Sequence, residues 1–180
     1  TEYDIAPGGD VFYILTNADG AKDFKICQAP ASAPQPENWV EVVAEKPGRL
    51  ILSHSAYKHH LVWMERDNGL PRIVIRELAS GHEHAISFPE EAYSLGLSGS
   101  YEFDTNVVRF TYSSPTTPAQ VYDYDMATGE RFLRKTQEVP SGHEPSDYVT
   151  RRILAPATDG ESVPVTLLYR ADTPLDGSAP

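Results

Sequence analysis

The chain has 180 residues, 40% of them hydrophobic, and its 15 basic and 26 acidic side chains give a formal net charge of -11. So acidic a surface repels phosphate backbones, which removes nucleic acid as a partner. The sequence also holds no run of about 18 apolar residues that would cross a bilayer as a helix, so no membrane partner is expected.

The first residues, TEYDIAPGG, carry neither the basic nor the apolar region of a signal peptide and no initiating Met. They suggest a processed or excised piece. From Val11, VFYILTNADGAKDFKICQAP alternates an apolar strand, a polar turn and a second strand. Cys27, the single cysteine, excludes an internal disulfide and a cysteine-cluster metal site. Beside Phe24 and Ile26 it is expected to pack as a small apolar thiol. WVEVVAE follows as another strand, with Trp39 partly exposed at its start.

A short strand over 49–53 precedes a second unit, LVWMERDNGLPRIVIRELASGHEHAI, from Leu61. A short strand over 93–98 precedes a third, VVRFTYSSPTTPAQVYDYDMATGERFLR, from Val107. Units repeating at about 50 and then about 46 residues, with four strands each, are the pattern of propeller blades. The expected fold is therefore all-β, a partial β-propeller of three four-stranded blades over 1–137, with Trp63 filling the space between blades. A β-sandwich is the alternative architecture. Three blades leave apolar faces and strand edges unpaired, so the chain is expected either to be a portion of a larger protein or to assemble with copies of itself.

After Gln137 the pattern changes. Pro140, Gly142 and Pro145 mark 138–147 as a linker. Strands over Tyr148–Leu154 and Val163–Tyr169, joined by a turn at TDGE (158–161), form a hairpin that breaks the blade pattern. Residues 148–180 are expected to open a different domain.

Candidate chemistry is sparse. GLSGS (96–100) is close to a nucleophile elbow, but Ser100 replaces its last Gly and the acidic, β-like YEFDTNVVRF follows instead of a helix. Ser98 is expected in a plain inter-strand loop. Among the histidines, His54, His59, His60, His82, His84 and His143, only His82 and His84 have a spacing zinc tolerates, and no third ligand is evident. All six are expected at the surface or in turns. Glu102/Asp104 and Asp123/Asp125 have strand spacing and face one way, whereas glycoside hydrolysis needs carboxyls opposed across a cleft. Asp125, Thr128 and Gly129 are better placed to build a turn. Tyr112, Tyr122 and Tyr124 suit sheet packing.

TYSSPTTPAQVYDYDMATGERFLRKTQEVPSGHEPSDYVTRRILAPATDGESVPVTLLYR (residues 111–170) resembles the prolyl oligopeptidase family, and within it the oligopeptidase B branch, also called protease II. The resemblance implies a serine peptidase in which a seven-bladed propeller caps an α/β-hydrolase domain, cleaving short peptides after Arg or Lys. In that family the Ser, Asp and His of the triad follow well beyond the strand ending at Tyr169, so none is carried onto Ser98, Ser141 or His143. The chain is then expected to be a noncatalytic fragment, with no catalytic, cofactor-binding or metal-ligating residue and no cofactor. The propeller would act by restricting access, and 138–147 would serve as a hinge. The lone Cys and the family suggest a cytoplasmic protein, with periplasmic export left open. A propeller-like module binding a peptide or protein, and a sugar-binding β protein, are the competing readings; the hairpin at 148–169 favours the peptidase.

Overall fold

The computed structural model describes residues 1–179. It is all-β, with three antiparallel four-stranded sheets in chain order followed by one two-stranded sheet. The first blade consists of β1 (Tyr3–Pro7), β2 (Val11–Thr16), β3 (Lys25–Pro30) and β4 (Val40–Val43). The second consists of β5 (Arg49–Ala56), β6 (His60–Asp67), β7 (Leu70–Glu77) and β8 (Glu83–Ala85). The third consists of β9 (Ser94–Ser98), β10 (Val107–Ser113), β11 (Gln120–Asp125) and β12 (Arg131–Thr136). In each, neighbours in sequence are neighbours in the sheet, as a propeller blade requires. A sandwich would send the chain back and forth between two facing sheets, whereas each sheet here is completed before the next begins.

One strand departs from expectation. β1 completes the first blade ahead of Val11, pairing with β2 from Tyr3↔Thr16 to Pro7↔Phe12. Of its five residues only Ala6 is buried, so the alternation that announces a strand is absent from YDIAP.

Two apolar seams join the blades. Between the first and second, Tyr13, Leu15, Ile26 and Val43 meet Ile51, Leu61, Trp63 and Val74. Between the second and third, Val62, Ile73, Ile75 and Ile86 meet Val108, Phe110, Tyr112 and Met126. Each fully buried side chain of this size contributes roughly 1.5–3 kcal/mol, so the seams hold the blades face to face. Trp63 sits in the first seam, fully enclosed, as the sequence suggested.

The hairpin is β13 (Tyr148–Pro156) and β14 (Ser162–Arg170), paired without interruption from Tyr148↔Arg170 to Pro156↔Ser162. The Ala157 amide closes its turn on the Glu161 carbonyl at 2.8 Å. Between blade and hairpin, 138–147 holds no strand and ends in a short 3-10 turn at Pro145–Asp147.

Because strands alternate in direction, each blade has two ends. One carries the β6–β7 turn, the 86–93 connection into β9 and the β10–β11 loop at 114–119. The other carries the β5–β6 turn, the 99–106 loop and the β7–β8 and β11–β12 turns. The hairpin sits at the first end.

Candidate functional site

The end that receives the hairpin is built from three loops. The β6–β7 turn, Asn68-Gly69, has positive φ at both positions, 50° and 76°, the two-residue geometry for which Asn-Gly is favoured. The 86–93 connection brings Glu90 and Glu91 to the seam between the second and third blades. Glu90 faces inward: Ser114 Oγ and Thr116 Oγ1 each donate to its Oε1 at 2.7 Å, Thr117 Oγ1 lies 3.2 Å away, and Tyr112 OH donates to Oε2. Burial opposes ionisation of Glu90, but these four hydroxyls outweigh it and hold the carboxyl below its ordinary value. Tyr112 is raised in turn, first by burial and then by its bond to Glu90.

Glu91 faces outward, to the hairpin. Its Oε1 accepts from Arg151 Nη1 and its Oε2 from the Arg152 backbone amide, both at 2.8 Å. The amide bond, followed by the Arg151 contact, lowers the Glu91 carboxyl. Arg152 Nη2 reaches across to the Asn68 carbonyl. His143 Nε2 lies 2.7 Å from the Thr116 carbonyl; a carbonyl only accepts, so this nitrogen carries the proton. Its ring also stacks on Tyr148. The linker is thus fastened to the loop that Glu90 orders, and β13 to the connection that carries Glu90 and to the β6–β7 turn.

None of these carboxylates was singled out by sequence. The signal available was slight: an acidic pair in a Pro-containing connection, SFPEEAYS, and a basic pair in the strand after the linker.

The residues that sequence did single out are dispersed. Ser98 is the last residue of β9, paired with Arg109, rather than a loop residue. A non-helical loop follows it, and no histidine lines the shallow cleft beside it. Glu102 and Asp104 lie in that loop and not on a strand, which corrects the expected shared face; Asp104 instead takes Lys58 Nζ at 2.6 Å. Asp123 is clamped by Arg109 at 2.7 Å and Arg134 at 2.8 Å. Asp125 accepts the amides of Ala127 and Thr128, and Gly129 follows with φ 78°, the expected turn. Cys27 is free and buried, its thiol raised by desolvation. Trp39 is half-buried, packed edge-on to Tyr3. Ser141 is exposed in the linker.

The histidines need correcting too. His54 and His60 are buried, not superficial. His54 Nε2 meets the Tyr13 carbonyl at 2.9 Å. His60, His82 and His84 gather with Glu77 and Tyr124 around a hollow of about 340 Å³ at the end of the blades opposite the hairpin. His82 and His84 stack, and His84 Nε2 bonds Tyr124 OH at 3.0 Å. Among the described residues, no three His, Cys, Asp or Glu side chains are arranged to hold a metal ion.

Residues 1–137 match the profile of the prolyl oligopeptidase N-terminal β-propeller domain. The chain belongs to the prolyl oligopeptidase family. This is a family of serine peptidases, peptidase S9. The chain is 41% identical to dipeptidyl aminopeptidase BI of Pseudoxanthomonas mexicana, over 99% of this chain and 25% of that protein. It is 27% identical to protease 2 of Moraxella lacunata, over 99% of this chain and 25% of that one. In structure it resembles oligopeptidase B from Trypanosoma brucei, in a closed form with covalently bound antipain, with a TM-score of 0.86 and 29% identity. That match covers 97% of this chain and 26% of the other. The chain therefore spans about a quarter of the length of these family members. Among the described residues no helix is long and apolar enough to cross a membrane.

Proposed function

We propose that this chain is the last part of the propeller and the first strands of the catalytic domain of a serine oligopeptidase. Residues 1–137 are then propeller, 138–147 the interdomain linker, and 148–180 the edge of an α/β-hydrolase domain. The complete enzyme cuts short peptides after Arg or Lys through a Ser-Asp-His acyl-enzyme route, and the propeller restricts which peptides arrive. It works in the cytoplasm. The chain alone does not hydrolyse peptides, because acyl transfer needs an activated serine, its base and oxyanion donors in one place.

The supporting observation is continuity. The propeller match ends at Gln137, the Pro/Gly linker follows at once, and the next two strands are seated on the propeller's own loops. A free-standing binding module has no use for that hairpin.

A second specificity is favoured by the 41% identity to a dipeptidyl aminopeptidase. The two differ in what they require of a substrate: an endopeptidase accepts a blocked amine before the basic residue, whereas a dipeptidyl aminopeptidase needs a free amine two residues from the cut. The uncut reading frame, expressed whole, decides between them. Turnover of amine-blocked Arg and Lys amides, abolished by a serine-directed covalent inhibitor, supports the oligopeptidase. Turnover confined to free-amine dipeptidyl amides supports the alternative. No inhibitor-sensitive turnover of either kind refutes both.

A further inference from the structure

The adjacent carboxylates at 90 and 91 are used in opposite directions. Glu90 gathers four hydroxyls from β10 and the loop after it, and Ser114 Oγ also accepts the amides of Thr116 and Thr117 at 3.0 and 2.8 Å. The 114–117 stretch of the loop is thereby fixed to the 86–93 connection. Glu91, next along the chain, spends both its oxygens on β13. One of its two partners is a backbone amide on the open edge of a two-stranded sheet, the kind of group that otherwise exchanges freely with water. Arg152 then ties the same strand to the second blade through the Asn68 carbonyl. The Asn68-Gly69 turn is shaped for this approach: a Cβ built on Gly69 would sit 3.0 Å from Arg152 Nη2 and 3.6 Å from Pro164 Cγ. The hairpin therefore meets the second blade's turn and the connection into the third at once, through two consecutive residues of one strand, and the linker is pinned beside it by His143.

We propose that Glu91 is a positioning residue that latches the catalytic domain's first strand to the propeller, with Glu90 holding the platform behind it, and that this latch sets the size of peptide the complete enzyme admits. The size selection rests on the peptidase function proposed above; the latch itself rests on the contacts of this chain alone. Its elements are exposed and individually weak, so it is suited to opening and closing, not to permanent anchorage.

The test uses the complete protein, with E91A, E91Q and R151A variants. Hydrogen exchange over residues 148–156 is read by mass spectrometry, and kcat/KM is measured on a peptide of about 30 residues and on a short amide, a length contrast that lid opening would separate. E91A, which removes both contacts, is expected to speed exchange in β13 about two- to fivefold and to raise the long-to-short kcat/KM ratio by a similar factor. E91Q keeps an acceptor for the Arg152 amide and should restore most of the protection; R151A, which removes only the ion pair, should fall between. Glu91 is 42% exposed in its side chain, so the variants are expected to melt with the wild type. Unchanged exchange in E91A overturns the latch. Faster exchange with an unchanged ratio overturns the size selection. A wild-type protein with a protected β13 and no peptidase activity refutes the peptidase function and, with it, the size selection, while the E91A exchange result still decides the latch.

Discussion

Glu65 is a carboxylate with a 2% exposed side chain, in the apolar seam between the first two blades. It is there because one hydrogen-bond donor and two guanidinium charges meet it. Trp63 Nε1 donates at 2.8 Å, Arg72 Nη1 lies 3.4 Å away and Arg49 Nε 3.6 Å. Trp63, two residues along β6, shares its face and fills the seam above it. The pair explains why an acidic residue tolerates this depth: a buried charge is costly alone, and removing one member of a paired set is costlier than never having had it. Substituting Glu65→Ala leaves the Arg49 guanidinium, only 11% exposed, without its countercharge. The expected loss is about 3–5 kcal/mol of unfolding free energy, measured by denaturant titration of the complete protein. Trp63→Phe, which removes the donor together with part of the indole's bulk, is expected to cost about 1–3 kcal/mol. If the two costs are reversed, the seam is held by packing and Glu65 is incidental.

At the scale of the element, the seam between the second and third blades carries a titratable end. His60 on β6 and His84 on β8 are both lowered below the ordinary imidazole value, chiefly by desolvation. His59 and His84 push His60 further down, while Glu77 and Asp125 pull it up; His82 pushes down His84. The folded blades thus prefer both rings neutral. Stability from this source is complete above the unfolded imidazole pKa of about 6.5 and is lost as pH falls below it toward the depressed folded values. The melting temperature is expected to drop between about pH 7 and pH 5, and His60→Gln should flatten that slope. A slope unaffected by the substitution would assign the acid sensitivity to other groups.

The elements differ in how far the sequence revealed them. The strands of the second and third blades were legible because LVWMER, RIVIREL and VVRFTYSS combine β-branched and aromatic residues with clear turn signals. β1 was not, because its exposure carries no alternation. The turn at Asp125–Gly129 was legible because an Asx turn is local, its donors two and three residues away. Glu90 and Glu91 were illegible for the opposite reason: their partners lie more than twenty and about sixty residues downstream, brought close only by blade stacking. His60 was misplaced on similar grounds. A histidine at the mouth of a strand is polar by type, and its burial depends on a neighbouring blade that local pattern does not report.

For the whole molecule, apolar groups are exposed where the blade series and the hairpin offer open sheet faces. Tyr3 and Ile5 are exposed on the first blade, Phe132 and Leu133 on the last strand of the third, and Ile153, Leu154, Val163 and Leu168 on the hairpin. Such residues scattered singly are ordinary; grouped on sheets with open edges they are association surfaces. Against this stands the net charge of -11, which drives copies apart over a distance set by salt: the screening length is about 30 Å at 0.01 M and about 8 Å at 0.15 M. The balance makes a directional prediction for the chain in isolation. In sedimentation velocity it should be mainly monomeric at low ionic strength and shift to dimers and larger species as salt rises, since screening weakens the repulsion and leaves apolar burial intact. Replacing Leu154 and Leu168, which lie on the same face of the hairpin, with Lys or Glu should reduce that shift. Paired Ile5→Lys and Leu133→Glu substitutions should reduce it only if the blade ends, and not the hairpin, are the surfaces that meet. Association that weakens with added salt would instead mean that charge pairing holds the copies together, and the exposed sheet faces would then have no part in it.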